Sequence, residues 1–465
     1  MKKTISLIIL FVTLSSLFLL FGCDRQKQNR EECEMNPSFV LKVDIDSKNA
    51  SVKAILRYTS VIDSDKIVLQ YYPLCYCPEA KTKLSISTDN GQPTTVIDRL
   101  EVNGEKTNYT LDYSFSSINV DYRVFVGKQT TIEIDYRLTI PQVADRLGFV
   151  DGYYSLCRFY PYVAPIVDGN YSARAYSDIG ETELFYLADF EVSVSLSDKY
   201  VLAHTGKAVR TDSSDGVVNY LIKAEKVRDF ALAYSKNFTR RSVEYNQTTI
   251  NYYFLKDATP NYELEVIRKS LQVFGRLFGE YSREQLSLII APFSYGGMEY
   301  SELIVVSDGL KESAREETIV HEVAHQWWFL KVGNDQAKYP WIDESLAEFS
   351  VALYFLQTDR GQIFESYRKH GMKVMQNRII DCKTTAISGS VYSFDQDSYA
   401  DCVYTLGCLM WINLYSLEGH NLLEDLSDYA ENNSTETATE SDIRSALFKG
   451  RESMLTAWLE GKVVT

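Results

Sequence analysis

Residues 318–350 read TIVHEVAHQWWFLKVGNDQAKYPWIDESLAEFS, and this stretch decides what the chain is built around. It contains His321-Glu322-Val323-Ala324-His325 and, after eighteen intervening residues, Glu344. On a helix, residues four apart share a face, so His321 and His325 aim two imidazoles at one point. Glu322 sits beside that pair, where it reaches water brought to a metal rather than the metal itself. The gap to Glu344 lets the chain leave the helix, turn at Gly333-Asn334-Asp335 and return on a second helix with a third ligand. Two histidines and one glutamate with an open fourth position are the ligand set of a catalytic zinc, whereas structural zinc sites are closed and mostly cysteine. The plainer alternative is two histidines that happen to lie four apart. The apolar filling (Ile319, Val320, Val323, Ala324, Trp327, Trp328) predicts that the helix is buried, as a deep metal site requires.

The chain has 465 residues, long enough for two or three domains, and its 45% hydrophobic and 24% charged residues are those of a folded protein. A formal charge of −15 argues against a nucleic-acid partner. Lys2-Lys3, an apolar run over 5–21 and then Gly22-Cys23 describe a secretory signal over 1–22. Leu20-Phe21-Gly22-Cys23 resembles a bacterial lipobox, which makes Cys23 the lipid-attachment residue, with an uncleaved membrane anchor as the alternative. The expected location is the extracytoplasmic face of a bacterial membrane or the cell surface. Residues 23–37 are polar and read as a tether. Seven further cysteines leave disulfide pairing unreadable.

From residue 38 to 242 the pattern is short alternating stretches: 39–44, 50–58, 66–72, 83–87, 131–138, 190–196 and 217–222 read as strands. Asp89-Asn90-Gly91 and Val102-Asn103-Gly104 supply hairpin turns. This half is expected to be an all-β domain of two facing sheets, with most of the 33 tyrosines packing on sheet faces. The irregular run 158–171 (RFYPYVAPIVDGNY) is either a loop pinned by packing or one that leans over a cleft in the next domain.

Residues 243–465 form the catalytic half. A helix is expected over 260–279, a buried strand over 286–291 and another over 303–307. Between the strands lies Ser294-Tyr295-Gly296-Gly297-Met298-Glu299-Tyr300, where Gly-Gly lets a backbone approach a ligand closely. Glu299 offers a carboxylate where an edge strand pairs with an extended peptide, or else it is a solvated residue in a hairpin. Helices are expected over 357–376 and 403–417, a polar linker over 431–441, and one terminal amphipathic helix from Ile443 to Leu459.

Taken together, Gly296-Gly297-Met298-Glu299-Tyr300, His321-Glu322-Val323-Ala324-His325, the spacing to Glu344 and Val403-Tyr404-Thr405-Leu406-Gly407 resemble the zinc aminopeptidases of the aminopeptidase N and leukotriene A4 hydrolase type, which are gluzincins. RDFALA at 228–233, FGEYSREQLSLIIAP at 278–292 and AWLEG at 457–461 extend the resemblance over about 228–461. It implies an all-β amino-terminal domain, sandwich- or saddle-like, followed by a thermolysin-like α+β peptidase domain, here with no large helical domain after it. It also implies one zinc per chain on His321, His325 and Glu344, with Glu322 as general base. Glu299 would hold the substrate's free α-ammonium, and Gly296, Gly297 and Met298 would lie along its backbone. Tyr404 would donate to the oxyanion, with Tyr399 its one close rival. Glu348, one turn after Glu344, either orients one of the histidines or is solvated. Tyr300, Ser345 and Leu406 replace the resemblance's Asn, Gly and Lys, which leaves substrate preference open. The expected activity is removal of amino-terminal residues from peptides. The alternatives are a lipoprotein that binds peptides or a partner without turnover, and a metalloendopeptidase.

Overall fold

The computed structural model describes residues 34–82, 84, 86–87, 93–255 and 259–462. The signal segment, Cys23 and the Asp89-Asn90-Gly91 turn lie outside the described residues. The alternation of Asn49–Thr59 (NASVKAILRYT) buries every second side chain, Ala50, Val52, Ala54, Leu56 and Tyr58. This strand sits near the middle of an eight-stranded sheet. The order is Lys207–Ser214, Val217–Val227, Ala188–Ser197, Ser38–Asp46, Asn49–Thr59, Gln129–Thr139, Thr95–Val102 and Glu105–Lys106. Ser38–Asp46 runs parallel to Ala188–Ser197, and the other neighbours are antiparallel. Asn103 and Gly104, both with positive φ, close the hairpin between the last two strands.

Two four-stranded sheets and a two-stranded one, Ile166–Val167 with Asn170–Tyr171, complete this half. Of the four-stranded pair, one is built around Tyr153–Cys157 and Ala231–Ser235, the other around Ile67–Gln70 and Ser117–Val120. Tyrosines fill the core: Tyr58, Tyr71, Tyr136, Tyr160 and Tyr234 are fully buried, and Tyr154 stacks on Tyr234 with centroids 4.8 Å apart. The stretch expected as a strand over 83–87 does not form one where it is described. Only Ser87 makes an isolated bridge, to Gln142.

The second half is organised on a five-stranded sheet in the order Thr239–Tyr245, Thr248–Phe254, Gln285–Ala291, Leu303–Ser307 and Gly297–Met298. Gln285–Ala291 is buried at every position because helices cover one face and the β half the other, as its mainly apolar sequence requires. Gly297–Met298 is the antiparallel edge strand, bonded only to Leu303–Ser307.

Helix α1 (Pro260–Phe278) and helix α2 (Glu312–Ala324) pack with helix α3 (Pro340–Gln357) in one core. Helices α4 (Gly361–Ile380), α5 (Gly407–Glu418) and α6 (His420–Asn432) follow. α4 starts and ends about four residues later than expected, since Asp359 adopts positive φ and stops continuation from α3. The polar run 431–441 is more than a linker. Thr437–Ala438 pairs in parallel with Gly333–Asn334, and Thr439 and Asp442 form a reciprocal cap for α7 (Glu440–Leu447). The terminal helix is two helices: Gly450, with φ of 78°, separates α7 from α8 (Glu452–Leu459). Among the described residues no large helical domain follows, so the architecture is the expected β domain and α+β domain.

The two halves are joined by buried polar contacts. The Arg228 guanidinium donates to the carbonyls of Phe185 (3.1 Å), Leu330 (3.2 Å) and Glu436 (2.8 Å). Gly333 allows this, because a Cβ there would run into that guanidinium.

Candidate active site

α2 delivers His321 and Glu322, and His325 caps its last turn. The chain then swings through a π-type turn, Gln326–Lys331, with Trp328 off helical geometry (φ −97°, ψ 39°). α3 returns Glu344 to the same point. His321 Nε2 lies 3.0 Å from His325 Nε2, and Glu344 Oε2 is 3.2 Å from the first and 3.4 Å from the second. Donors about 2.0–2.1 Å from one tetrahedral cation are separated by about 3.3 Å, so the spacing fits zinc.

The outer nitrogens sharpen this test. His321 Nδ1 faces Glu348 Oε2 at 3.1 Å and His325 Nδ1 faces the Trp328 carbonyl at 3.2 Å. Each Nδ1 therefore carries the proton it donates outward, which leaves the Nε2 lone pairs turned on one another and on a carboxylate. Three acceptors that converge in a buried place demand a cation. Without a metal, a proton takes the place of that cation. Burial lowers the pKa of His325, but Glu344 outweighs it and raises His325 to about 9. Burial likewise opposes ionisation of Glu344, and the two histidines nonetheless hold it well below the carboxylate range.

Glu322 is buried, with Oε2 unpaired, and faces the edge strand. Burial pushes its pKa up to about 8, against the pull of both histidines. A Cβ on Gly297 would strike the Glu322 carboxylate, so glycine is needed for this close approach. Met298 is buried beneath, and the Gly296 carbonyl accepts from Ser307 N–H at 2.9 Å. Glu299 lines the cleft while Gln336 Nε2 donates to its Oε1 at 2.9 Å; burial pushes its pKa up to about 7.

Tyr404 reaches the same cleft, its ring stacked 5.9 Å from that of His321. Tyr399 does not: it is buried behind Tyr404 with its hydroxyl against Gly180. Tyr300, Ser345 and Leu406, which depart from the resemblance, point into the core and do not line the cleft. Ser345 Oγ accepts from Trp411 Nε1 at 2.8 Å, a use no glycine could serve.

The cleft encloses about 560 Å³ and takes one wall from the β half, through Arg146, Ile179, Gly180 and Glu181. These residues were not singled out in the sequence. The run 158–171 is instead pinned beneath them. Arg158 pairs with Glu181 and Glu183, Arg146 with Glu181 and Asp145, and Tyr162 donates to Glu183, all buried. Arg146 also lies over the Tyr295 ring at 4.5 Å. The available signal was Glu181-Thr182-Glu183 directly ahead of the apolar Leu184-Phe185-Tyr186-Leu187.

Comparison with known proteins agrees with this picture. Residues 262–460 match the model of the Peptidase family M1 domain. The chain is 25% identical over 181 residues to Tricorn protease-interacting factor F2 of Thermoplasma volcanium, covering 35% of this chain. It is 33% identical over 111 residues to the protein of that name from Thermoplasma acidophilum, covering 20%. These matches span only 23% and 14% of the relatives' own lengths.

Among solved structures, an M1 zinc metallopeptidase of Deinococcus radiodurans superposes with a TM-score of 0.66 at 14% identity, covering 94% of this chain and 96% of that one. A mutant two-domain M1 zinc metallopeptidase bound to L-arginine gives 0.68 at 13%, covering 93% and 96%. A mutant of the Deinococcus radiodurans enzyme bound to a Tyr-Ser-Ala substrate gives 0.66 at 14%, covering 94% and 96%. The fold of the whole described chain is thus that of two-domain M1 metallopeptidases. Within the chain, residues 262–460 carry the match to the Peptidase family M1 domain.

Proposed function

We propose that the chain is a zinc-dependent aminopeptidase that removes amino-terminal residues from peptides, one zinc being held by His321, His325 and Glu344. The observation that carries this reading is the crowding of a second carboxylate on the metal-ligand cluster. Ligand atoms of Glu299, Glu322 and His325 all lie within 4.8 Å of one another. Within one residue the amino nitrogen and carbonyl carbon are about 2.5 Å apart, which follows from standard bond lengths and angles. An ammonium at Glu299 therefore leaves room for one residue before the carbonyl that meets Glu322.

When bound, zinc supplies Lewis-acid polarisation of the scissile carbonyl and a lowered pKa for the attacking water. Glu322 takes the proton of that water and hands it to the leaving amine. Tyr404 donates its phenolic hydrogen to the oxyanion as the carbonyl becomes tetrahedral. The free edge of Gly297–Met298 pairs with the substrate backbone, and Glu299 holds the α-ammonium. The Tyr-Ser-Ala substrate in a related structure supports a peptide as the ligand.

The test is a mixed peptide pool, half of it acetylated, incubated with the zinc-loaded chain and read by mass spectrometry with and without chelator. Single-residue ladders from free amino termini alone, abolished by chelator, are expected. Internal cleavage of acetylated peptides would make it an endopeptidase, and intact peptides with zinc bound would make it a binding protein.

We further infer that the chain is exported and lipid-attached at Cys23, on the strength of Lys2-Lys3, the apolar run and Gly22-Cys23. No helix among the described residues is long and apolar enough to cross a membrane. A Cys23→Ala variant is expected to move from the membrane fraction to the soluble one. Unchanged fractionation would count against the lipid.

A further inference from the structure

Gln336 sits in the turn between Gly333–Asn334 and α3, eight residues ahead of Glu344, and nothing in its local sequence marks it. It is 2% exposed. Its Nε2 donates twice, to Glu299 Oε1 at 2.9 Å and to Asp343 Oδ2 at 3.0 Å. Asn334 Nδ2 holds the other Asp343 oxygen at 3.0 Å. The turn itself is fastened to the β half. Gln336 N–H donates to the Glu183 carbonyl at 3.1 Å, and Arg174 pairs with Asp335 at 2.7 Å. Gln336 Oε1 is buried without a partner, so the orientation of this amide is set by its NH₂ group alone.

We propose that Gln336 is a positioning residue that fixes the Glu299 carboxylate for the substrate's α-ammonium and ties its aim to the β domain. This rests on the reading of Glu299 as the amine anchor. The chemistry favours an amide at this place. A lysine or arginine would neutralise Glu299 and compete with the incoming ammonium, and a hydroxyl has one hydrogen for two carboxylates. An amide has two hydrogens and no charge. It orients both acids and leaves the negative charge of Glu299 to the cleft. An unpaired carbonyl deep in a protein is unfavourable, and here it accompanies an amide whose two donors both serve carboxylates.

The experiment is a cycle of Gln336→Met, Glu299→Ala and the double variant, assayed on a free-amine dipeptide with zinc content measured throughout. Gln336→Met is expected to raise KM about 10- to 100-fold, the range for a hydrogen bond to a charged group. It should change kcat by less than about threefold and leave one zinc per chain. In the Glu299→Ala background the same substitution should add nothing to KM, because Gln336 acts on the substrate's ammonium through that carboxylate and not through Asp343. Calorimetric binding of an amino-acid amide to the Glu322→Gln protein should weaken by the same factor on adding Gln336→Met, independently of turnover. Gln336→Asn keeps a buried amide one methylene short of both acids. It gives the same split if the methionine variant does not accumulate as folded protein.

An unchanged KM in these variants, or an equal rise with Glu299 already removed, would overturn the proposal. If Glu299→Ala itself leaves KM unchanged, the amine-anchor reading fails as well. If Glu299→Ala raises KM and the Gln336 variants do not, this inference alone falls.

Discussion

Two buried charged clusters border one cleft, and they are completed in opposite ways. In the first, Arg146 and Arg158 face Glu181, Glu183 and Asp145, so positive and negative groups meet inside the chain. In the second, His321 and His325 satisfy their outer nitrogens with protein, and their inner nitrogens converge with the Glu344 carboxylate on one point. The arginine cluster is a structural joint of paired charges, and it locks the cleft wall from the β half to the rest of that domain. The histidine cluster is completed only by a cation from outside. Burial alone therefore does not tell a functional charge cluster from a structural one, but the direction of its lone pairs does.

The largest expected effect breaks the chemistry without touching the metal. Glu322→Gln should lower kcat by about 100- to 10,000-fold with one zinc retained. Loss of zinc in that variant would make Glu322 a ligand rather than a base. Next is the arginine joint: Arg158→Met leaves buried carboxylates short of a partner and should destabilise the fold by about 3–5 kcal/mol. Urea unfolding reads this, and a smaller change than about 1 kcal/mol would mean that the joint is not the buried, tightly paired cluster described.

Tyr404→Phe should cut kcat by about 100- to 1,000-fold while zinc and stability stay as they are. A full-activity Tyr404→Phe enzyme would return the oxyanion role to another donor. Glu348→Gln removes the carboxylate behind His321 and is expected to weaken zinc about 10- to 100-fold, as read by competition with a chelator.

The smallest effect is a matter of pH, and its sign separates the clusters. The pKa of His325 is raised to about 9, so below that pH zinc has to displace a proton, and its affinity should fall as pH drops. The slope is about tenfold per unit for each proton released. Glu181 is the reverse case. Burial raises its pKa, the two arginines more than offset this, and the net pKa is lowered. Its contribution to stability is therefore complete above the ordinary carboxylate pKa and is lost only as pH falls through its depressed value. Acidification should strip zinc well before it opens the arginine joint. The opposite order would contradict the comparison.

What could be read in advance follows the same division between local and distant order. The proposed metal ligands were legible because helical spacing and one short turn bring His321, His325 and Glu344 together. The strand at Asn49–Thr59 was legible because alternation is a local property. Glu181 was not, since its meaning comes from Arg158, 23 residues away, and Arg146, 35 away, with no periodicity linking them. Gln336 was hidden for the same reason, its key acceptor Glu299 lying 37 residues back. The run 431–441 looked like a polar linker because its pairing partner, Gly333–Asn334, is about a hundred residues upstream. The terminal amphipathic pattern continues across Gly450, and so the sequence could not show that the backbone turns there.

The central claim is that three converging acceptors are a zinc site. Its most direct test is the metal content of the purified chain beside its His325→Ala variant, by mass spectrometry of the metal after dialysis. One zinc per chain in the first, and less than a tenth of that in the second, is the predicted result. A metal-free wild-type chain that stays so after incubation with zinc, or a His325→Ala variant that keeps its zinc, would contradict it.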